Sequence, residues 1–202
     1  LIVAMSLRLH GIEKTWGDAL LSGSFHILSF ASSTGFSIAD NSVWPVLPSA
    51  MLIFMAICCG MAGSTTGGVK ADRVLLLCKE IKYQLRVSLH PASVNDVRVN
   101  GRVVRQDDVA PHVLYIALYF MAVVVSVAAC LVFNPDCTHA LTATITSLSN
   151  VGICVGDLGS MTSFNAEPTS AKFLYSIDMF LGRVEIYPLM AVVTMIFSRR
   201  NK

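Results

Sequence analysis

Two short stretches, Ser33-Thr34-Gly35-Phe36 and Asn150-Val151-Gly152-Ile153, carry residue types suited to handling a bare cation. Glycine permits φ > 0 and close backbone approach, so successive carbonyls can face a common axis. A ring of such carbonyls can replace the water shell of a monovalent cation. On this reading Ser33, Thr34 and Gly35 line one quadrant of a filter, and Asn150, Val151 and Gly152 line another. Either turn alone reads as a plain surface turn. Their recurrence at matching places in two units favours the filter. The chemistry is dehydration and passage, with no covalent step.

A second constellation joins a loop to a charge. The apolar run 46–61 flows straight into Ala62-Gly63-Ser64-Thr65-Thr66-Gly67-Gly68-Val69-Lys70. Irregular backbone at membrane depth leaves polar groups that lipid cannot satisfy, so such a loop must be buried in protein or line water. The loop comes close to the nucleotide-binding pattern G-x-x-x-x-G-K-[ST]. It fails because Val69 intervenes before Lys70, and Ala71 stands where a hydroxyl is needed to hold Mg²⁺. Arg183 falls near the middle of a later apolar stretch, where a charge costs roughly 2.5–3.5 kcal/mol. Asp178 lies roughly 140° around the helix from it, and Glu185 is only two positions on, so neither suits an in-helix pair. Arg183 must find its partner outside its own helix, either as a structural lock or beneath the filter against the Gly63–Gly68 loop. There its charge would oppose cation passage. Pro188 withholds a hydrogen bond and bends the helix below.

The elements that position these residues are apolar. Of the 202 residues 54% are hydrophobic and 14% charged, against about 25% charged in a soluble domain; the mean hydropathy is +0.63. Residues 45–62, 109–133 and 173–197 are each long enough to cross about 30 Å of hydrocarbon. Basic residues crowd the segment 63–108 and return at Arg199, Arg200 and Lys202. Positive charge collects on the cytoplasmic side, so the first span runs inward, the second returns and the third runs inward again. Ahead of each inward span lies a segment too short or polar to cross, 15–36 and 137–153. Aligning Gly35 with Gly152 superposes them, and internal repeats are common in transport proteins.

The fold expected is an all-α polytopic membrane protein, with span–re-entrant pore helix–span repeats around a central ion pore. Residues 1–90 form one repeat, its first span cut off upstream and its second broken at 62–68. Residues 91–108 form a cytoplasmic linker, and 109–202 form the next repeat. Within the linker, 97–104 alternate as a short hairpin around an Asn100-Gly101 turn.

These residues resemble the Trk/Ktr/HKT family of potassium transporters, specifically its bacterial Trk-type membrane subunits. Ser33-Thr34-Gly35-Phe36 resembles the third-repeat filter, and Gly60-Met61-Ala62-Gly63-Ser64-Thr65-Thr66-Gly67-Gly68-Val69-Lys70 its intramembrane loop. Asn150-Val151-Gly152 matches the fourth filter strand, and Leu181-Gly182-Arg183-Val184-Glu185-Ile186 the last helix's arginine motif. Thr66 stands where the family usually has glycine. The resemblance covers essentially the whole chain as the C-terminal half of a four-repeat pore. It implies K⁺ as the transported ion, an inner-membrane location, a homodimer and a cytoplasmic nucleotide-binding regulatory subunit, with H⁺ or Na⁺ symport left open against passive conduction.

The competing reading is a non-conducting assembly subunit, since Gly60, Gly63 and Gly67 have the spacing of a helix-packing face. The six cysteines show no metal-ligand spacing, and a Cys137–Cys154 disulfide is not expected. A net charge of +2 gives no footing for nucleic acid. His26, His112 and His139 are isolated and read as ordinary helix or interface residues. Asp157 and Glu167 read as solvated loop charge. Residues 70–90 read as a basic amphipathic continuation of the broken span, lying on lipid or contacting a partner.

Overall fold

A computed structural model describes residues 1–58, 60–61, 63–89, 97–99, 102–104, 106–133, 136–156, 159 and 164–184. Ala62, Asp157, the Asn100-Gly101 turn, Glu185, Pro188 and the basic C-terminal tail lie outside the described residues.

Among the described residues the regular elements are helices, apart from one hairpin. In order come α1 (Ile2–Leu9), α2 (Trp16–Ala31), α3 (Val46–Ile57), α4 (Ala71–Leu89), β1 (Val97–Val99), β2 (Arg102–Val104), α5 (Gln106–Leu131), α6 (Cys137–Leu148) and α7 (Thr169–Val184). The strands pair antiparallel with Val97 opposite Val104 and Val99 opposite Arg102. This is the expected hairpin, and it qualifies the all-α expectation.

Local chemistry starts the two short helices. Thr15 caps α2 by accepting the Asp18 amide at 3.1 Å, and Asp136 caps α6 by accepting the Thr138 amide at 3.1 Å. Each satisfies one of the amides a helix start leaves without an internal partner. α5 holds the 23-residue apolar stretch Val109–Leu131, about 35 Å long at 1.5 Å per residue. It is long enough to cross a membrane.

The first expected span is shorter than predicted. α3 ends at Ile57, not at residue 62, although the sequence stays apolar to Met61. The reason is a competing set of bonds. The Val69 amide takes the Ile57 carbonyl at 2.9 Å, and the Ala71 amide takes that of Gly60 at 2.9 Å. The chain therefore folds back and re-enters a helix as α4. α7 begins at Thr169 rather than 173; its continuation past 184 is outside the described residues.

Packing divides the core between the two units. Leu7, Ala19, Phe30, Leu52 and Ala56 bury α1, α2 and α3 against one another, with Val151, Ile153 and Val155 from the later unit. Tyr115 and Tyr119 of α5 pack with Val69 and Leu148. Farther along α5, Cys130 meets Tyr175 and Ala171 of α7. The opposite face of α5 leaves Phe120, Met121, Val124 and Val125 exposed, as a helix facing lipid would.

Candidate functional site

The two glycine turns are built alike, bond for bond. At the end of α2 the amides of Ser32, Ser33 and Thr34 bond to the carbonyls of Leu28, Phe30 and Ser29 at 2.9, 3.2 and 3.1 Å. At the end of α6 those of Ser149, Asn150 and Val151 bond to Ile145, Ser147 and Thr146 at 2.9, 3.0 and 3.0 Å. Both are Schellman terminations, which require a left-handed residue just past the helix. Ser33 (φ 52°) and Asn150 (φ 54°) fill that place, and Gly35 (φ 70°) and Gly152 (φ 83°) follow two residues later. Asparagine accepts this conformation more readily than most residues.

The turns also meet each other. The Ser33 hydroxyl donates to the Ser149 carbonyl at 3.0 Å, and a Cβ on Gly35 would collide with the Val151 carbonyl. Among the described residues, no donor takes the carbonyls of Thr34, Gly35, Val151 or Gly152.

Beneath them lies the loop. The bonds from Val69 and Ala71 close its neck. Inside it, the Ser64 and Thr66 hydroxyls are 2.6 Å apart, Thr66 nests against Gly60, and Lys70 Nζ donates to the Ser64 carbonyl at 3.4 Å. Gly67 presses on the end of α6, where a Cβ would come within 2.7 Å of the Ser149 carbonyl. Tyr115 donates to the Gly68 carbonyl at 3.3 Å. The Arg183 guanidinium donates to the Thr65 carbonyl, so the partner outside its own helix is this loop. Gly182 lets α7 approach the Leu148 carbonyl, and Asn150 Nδ2 donates to the Met179 carbonyl at 3.2 Å. The end of α6 thus gathers both turns, the loop and α7. Gly63 is exposed on the loop with nothing near its Cβ position.

Several side chains here were invisible to sequence reasoning. His26, expected to be ordinary, is fully buried between the Ser22 and Ala39 carbonyls. Glu167, expected to be solvated, is half-buried with its carboxylate 3.1 Å from His139 Nε2. Asp178 is buried and accepts from Ser126 of α5 at 2.6 Å. Cys137 and Cys154 are both unbridged, as expected. The amide of Ser42 foremost holds the Asp40 carboxyl below the usual aspartate range, and the Thr138 hydroxyl does the same for Asp136. No group of three or more histidine, cysteine or acidic side chains able to hold a metal occurs among the described residues.

Paired short helices ending in like glycine turns stand beside a broken apolar helix and one long enough to cross a membrane. The profile of the cation transport protein family TrkH matches residues 9–200, and the chain belongs to that family. It is 30% identical to the Trk system potassium uptake protein TrkH of Halomonas elongata over 99% of this chain and 41% of that one. It is also 30% identical to the Trk system potassium uptake protein TrkG of Escherichia coli K12, over 98% of this chain and 42% of that one. The crystal structure of the potassium transporter TrkH from Vibrio parahaemolyticus superposes with a TM-score of 0.86 at 27% identity, covering 95% of this chain and 40% of that one. The chain therefore spans about two fifths of the length of these relatives.

Proposed function

We propose that this chain supplies two of the four quadrants of a pore that takes up potassium across the cytoplasmic membrane. The carbonyls of Ser33, Thr34 and Gly35 and of Asn150, Val151 and Gly152 dehydrate K⁺. The loop from Ala62 through Gly68, held by Arg183, forms the constriction on the cytoplasmic side. The observation that carries this reading is the identical bonding of the two turns and their direct contact through Ser33 and Ser149. Two quadrants cannot close a fourfold ring, so the remaining two come from polypeptide matching the rest of the relatives' length. Asp40 and Asp136, ionised at neutral pH, lie on the outer approach. A homodimer and a cytoplasmic nucleotide-binding regulatory subunit complete the assembly.

The complete transporter carrying these residues, expressed in a host lacking potassium uptake, tests this reading. Wild type should restore growth at low potassium and Gly35→Ser should not, because its Cβ strikes the Val151 carbonyl. The tight seating of Gly67 and Gly182 on α6 is the observation that favours a non-conducting assembly role. That role predicts no potassium uptake by wild type.

A further inference from the structure

The Ser33–Gly35 turn has a brace of two helix side chains on its outgoing carbonyls, which its counterpart does not repeat. We propose that His26 and Ser29 position the carbonyls of the Ser33–Gly35 quadrant and thereby set its preference for K⁺ over Na⁺, an inference that rests on the filter reading above. His26 and Ser29 stand three apart on α2, so they share a face. Phe36 and Ala39 stand three apart on the irregular segment that leaves the turn. The Ser29 hydroxyl donates to the Phe36 carbonyl at 2.7 Å, and His26 Nε2 lies 3.2 Å from the Ala39 carbonyl. These are two rungs between the helix and that segment.

The ring of His26 is fixed from other sides as well. Its Nδ1 lies 2.8 Å from the Ser22 carbonyl, and Trp44 tilts over it at 4.7 Å between ring centroids. Both ring nitrogens therefore face carbonyl oxygens, and in its Nε2–H tautomer the imidazole donates to Ala39 and joins α2 to the outgoing segment. Beyond the second rung, buried Asn41 donates to the Cys154 carbonyl at 3.1 Å, which ties this segment to the one leaving the other turn.

Aligning Gly35 with Gly152 places Ala143 where His26 stands and Thr146 where Ser29 stands. Ala143 offers no hydrogen-bonding side chain. The Thr146 hydroxyl bonds to the Thr142 carbonyl at 2.8 Å and to that of Ala143 at 3.1 Å, and lies 3.1 Å from Cys154 Sγ, so it meets a thiol on the outgoing segment rather than a main-chain carbonyl. Burial of Val151, Ile153 and Val155 holds that segment instead. The two quadrants are thus secured by different means, one by helix side chains bonded to outgoing carbonyls and the other by packing with a hydroxyl–thiol contact.

This difference bears on selectivity because the number and orientation of carbonyl dipoles, or the fit they leave, decide between K⁺ and Na⁺. Drawing the Phe36 carbonyl toward α2 fixes the peptide plane that follows Phe36, one residue beyond the Gly35 carbonyl. Losing that rung lets the Gly35 segment relax around a smaller ion. The expected loss of preference is about fivefold, the equilibrium weight of one hydrogen bond.

The test measures Rb⁺ and Na⁺ uptake by the complete transporter in vesicles. Ser29→Ala and His26→Phe should each lower the Rb⁺/Na⁺ ratio about fivefold while uptake persists, and His26→Gln, which retains a donor, should recover part of it. Ser24→Ala, which removes a hydroxyl bonded to the Leu20 carbonyl of its own helix, should leave the ratio unchanged. An unchanged ratio in Ser29→Ala and His26→Phe, where Gly35→Ser abolishes preference, overturns the brace and leaves the filter standing. If Gly35→Ser also leaves the ratio unchanged, the filter reading falls and the brace with it.

Discussion

The guanidinium of Arg183 donates to the main-chain carbonyl of Thr65, a residue 118 positions earlier in the chain. One bond thus joins the last described helix to the loop that breaks α3 from α4. The same loop is gripped at the adjacent carbonyl, that of Ser64, by Lys70. Two cations hold two successive peptide groups, and the loop presents Gly67 to the end of α6. This arrangement makes the loop a closed element whose release requires a side chain to let go.

Replacing Arg183 with glutamine removes the charge and weakens the grip. Cation flux through the complete transporter should rise on the order of tenfold, equivalent to about 1.4 kcal/mol. Arg183→Lys should restore little, because a point charge does not reproduce the guanidinium fork. Tracer uptake normalised to membrane protein measures both. Unchanged flux in the glutamine variant would return Arg183 to a purely structural lock.

The Thr66 hydroxyl lies 2.6 Å from that of Ser64. It also fills the recess over Gly60. Thr66→Val keeps the shape and loses the bond, whereas Thr66→Gly loses both. Flux should rise in both variants and more in the glycine one, by about fivefold for the hydrogen bond alone. A rise in the glycine variant alone would show that the recess, not the hydroxyl pair, sets loop mobility.

How far the sequence foretold this arrangement depends on how local each cause is. The short helices α2 and α6 were legible because an apolar Ser/Thr-rich stretch ended at glycine in both. The 97–104 hairpin was legible from alternating valines. Arg183 needed a partner beyond its own helix because nearby acids sit at the wrong angles, and the loop supplies one. The end of α3 at Ile57 was not legible, since apolar residues continue to Met61 and the bonds that stop the helix come from Val69 and Ala71. His26 has no local signal either, for its distinguishing contact is with Ala39 on a segment outside the helix. Glu167 looked solvated because His139, its neighbour in space, belongs to another helix.

Gly182 admits α7 against the Leu148 carbonyl, and Gly67 admits the loop against that of Ser149. A methyl group at either site meets backbone, which cannot move aside as a flexible side chain would. Gly182→Ala and Gly67→Ala should each destabilise the protein by about 1–3 kcal/mol through overpacking. Thermal unfolding of the detergent-purified transporter reports this as a lower apparent melting temperature. Gly63→Ala is the comparison, because nothing lies near its Cβ position; its positive φ leaves only the backbone strain of a left-handed alanine.

The Ser126–Asp178 bond gives a last prediction, about coupling between α5 and α7. Both side chains are buried, and Ser126 donates to one carboxylate oxygen while the other has no partner among the described residues. Removing the donor leaves a buried acceptor unsatisfied, a loss of about 1–3 kcal/mol. Ser126→Ala should therefore lower the melting temperature. Asp178→Ala removes the group that needed satisfying, so adding Ser126→Ala to it should cost little more. The double-mutant cycle should give a coupling of roughly 0.5–3 kcal/mol, as for residues in direct contact. Additive effects would mean that the bond contributes nothing to joining these helices, which would then be held by the packing of Tyr175 on Cys130.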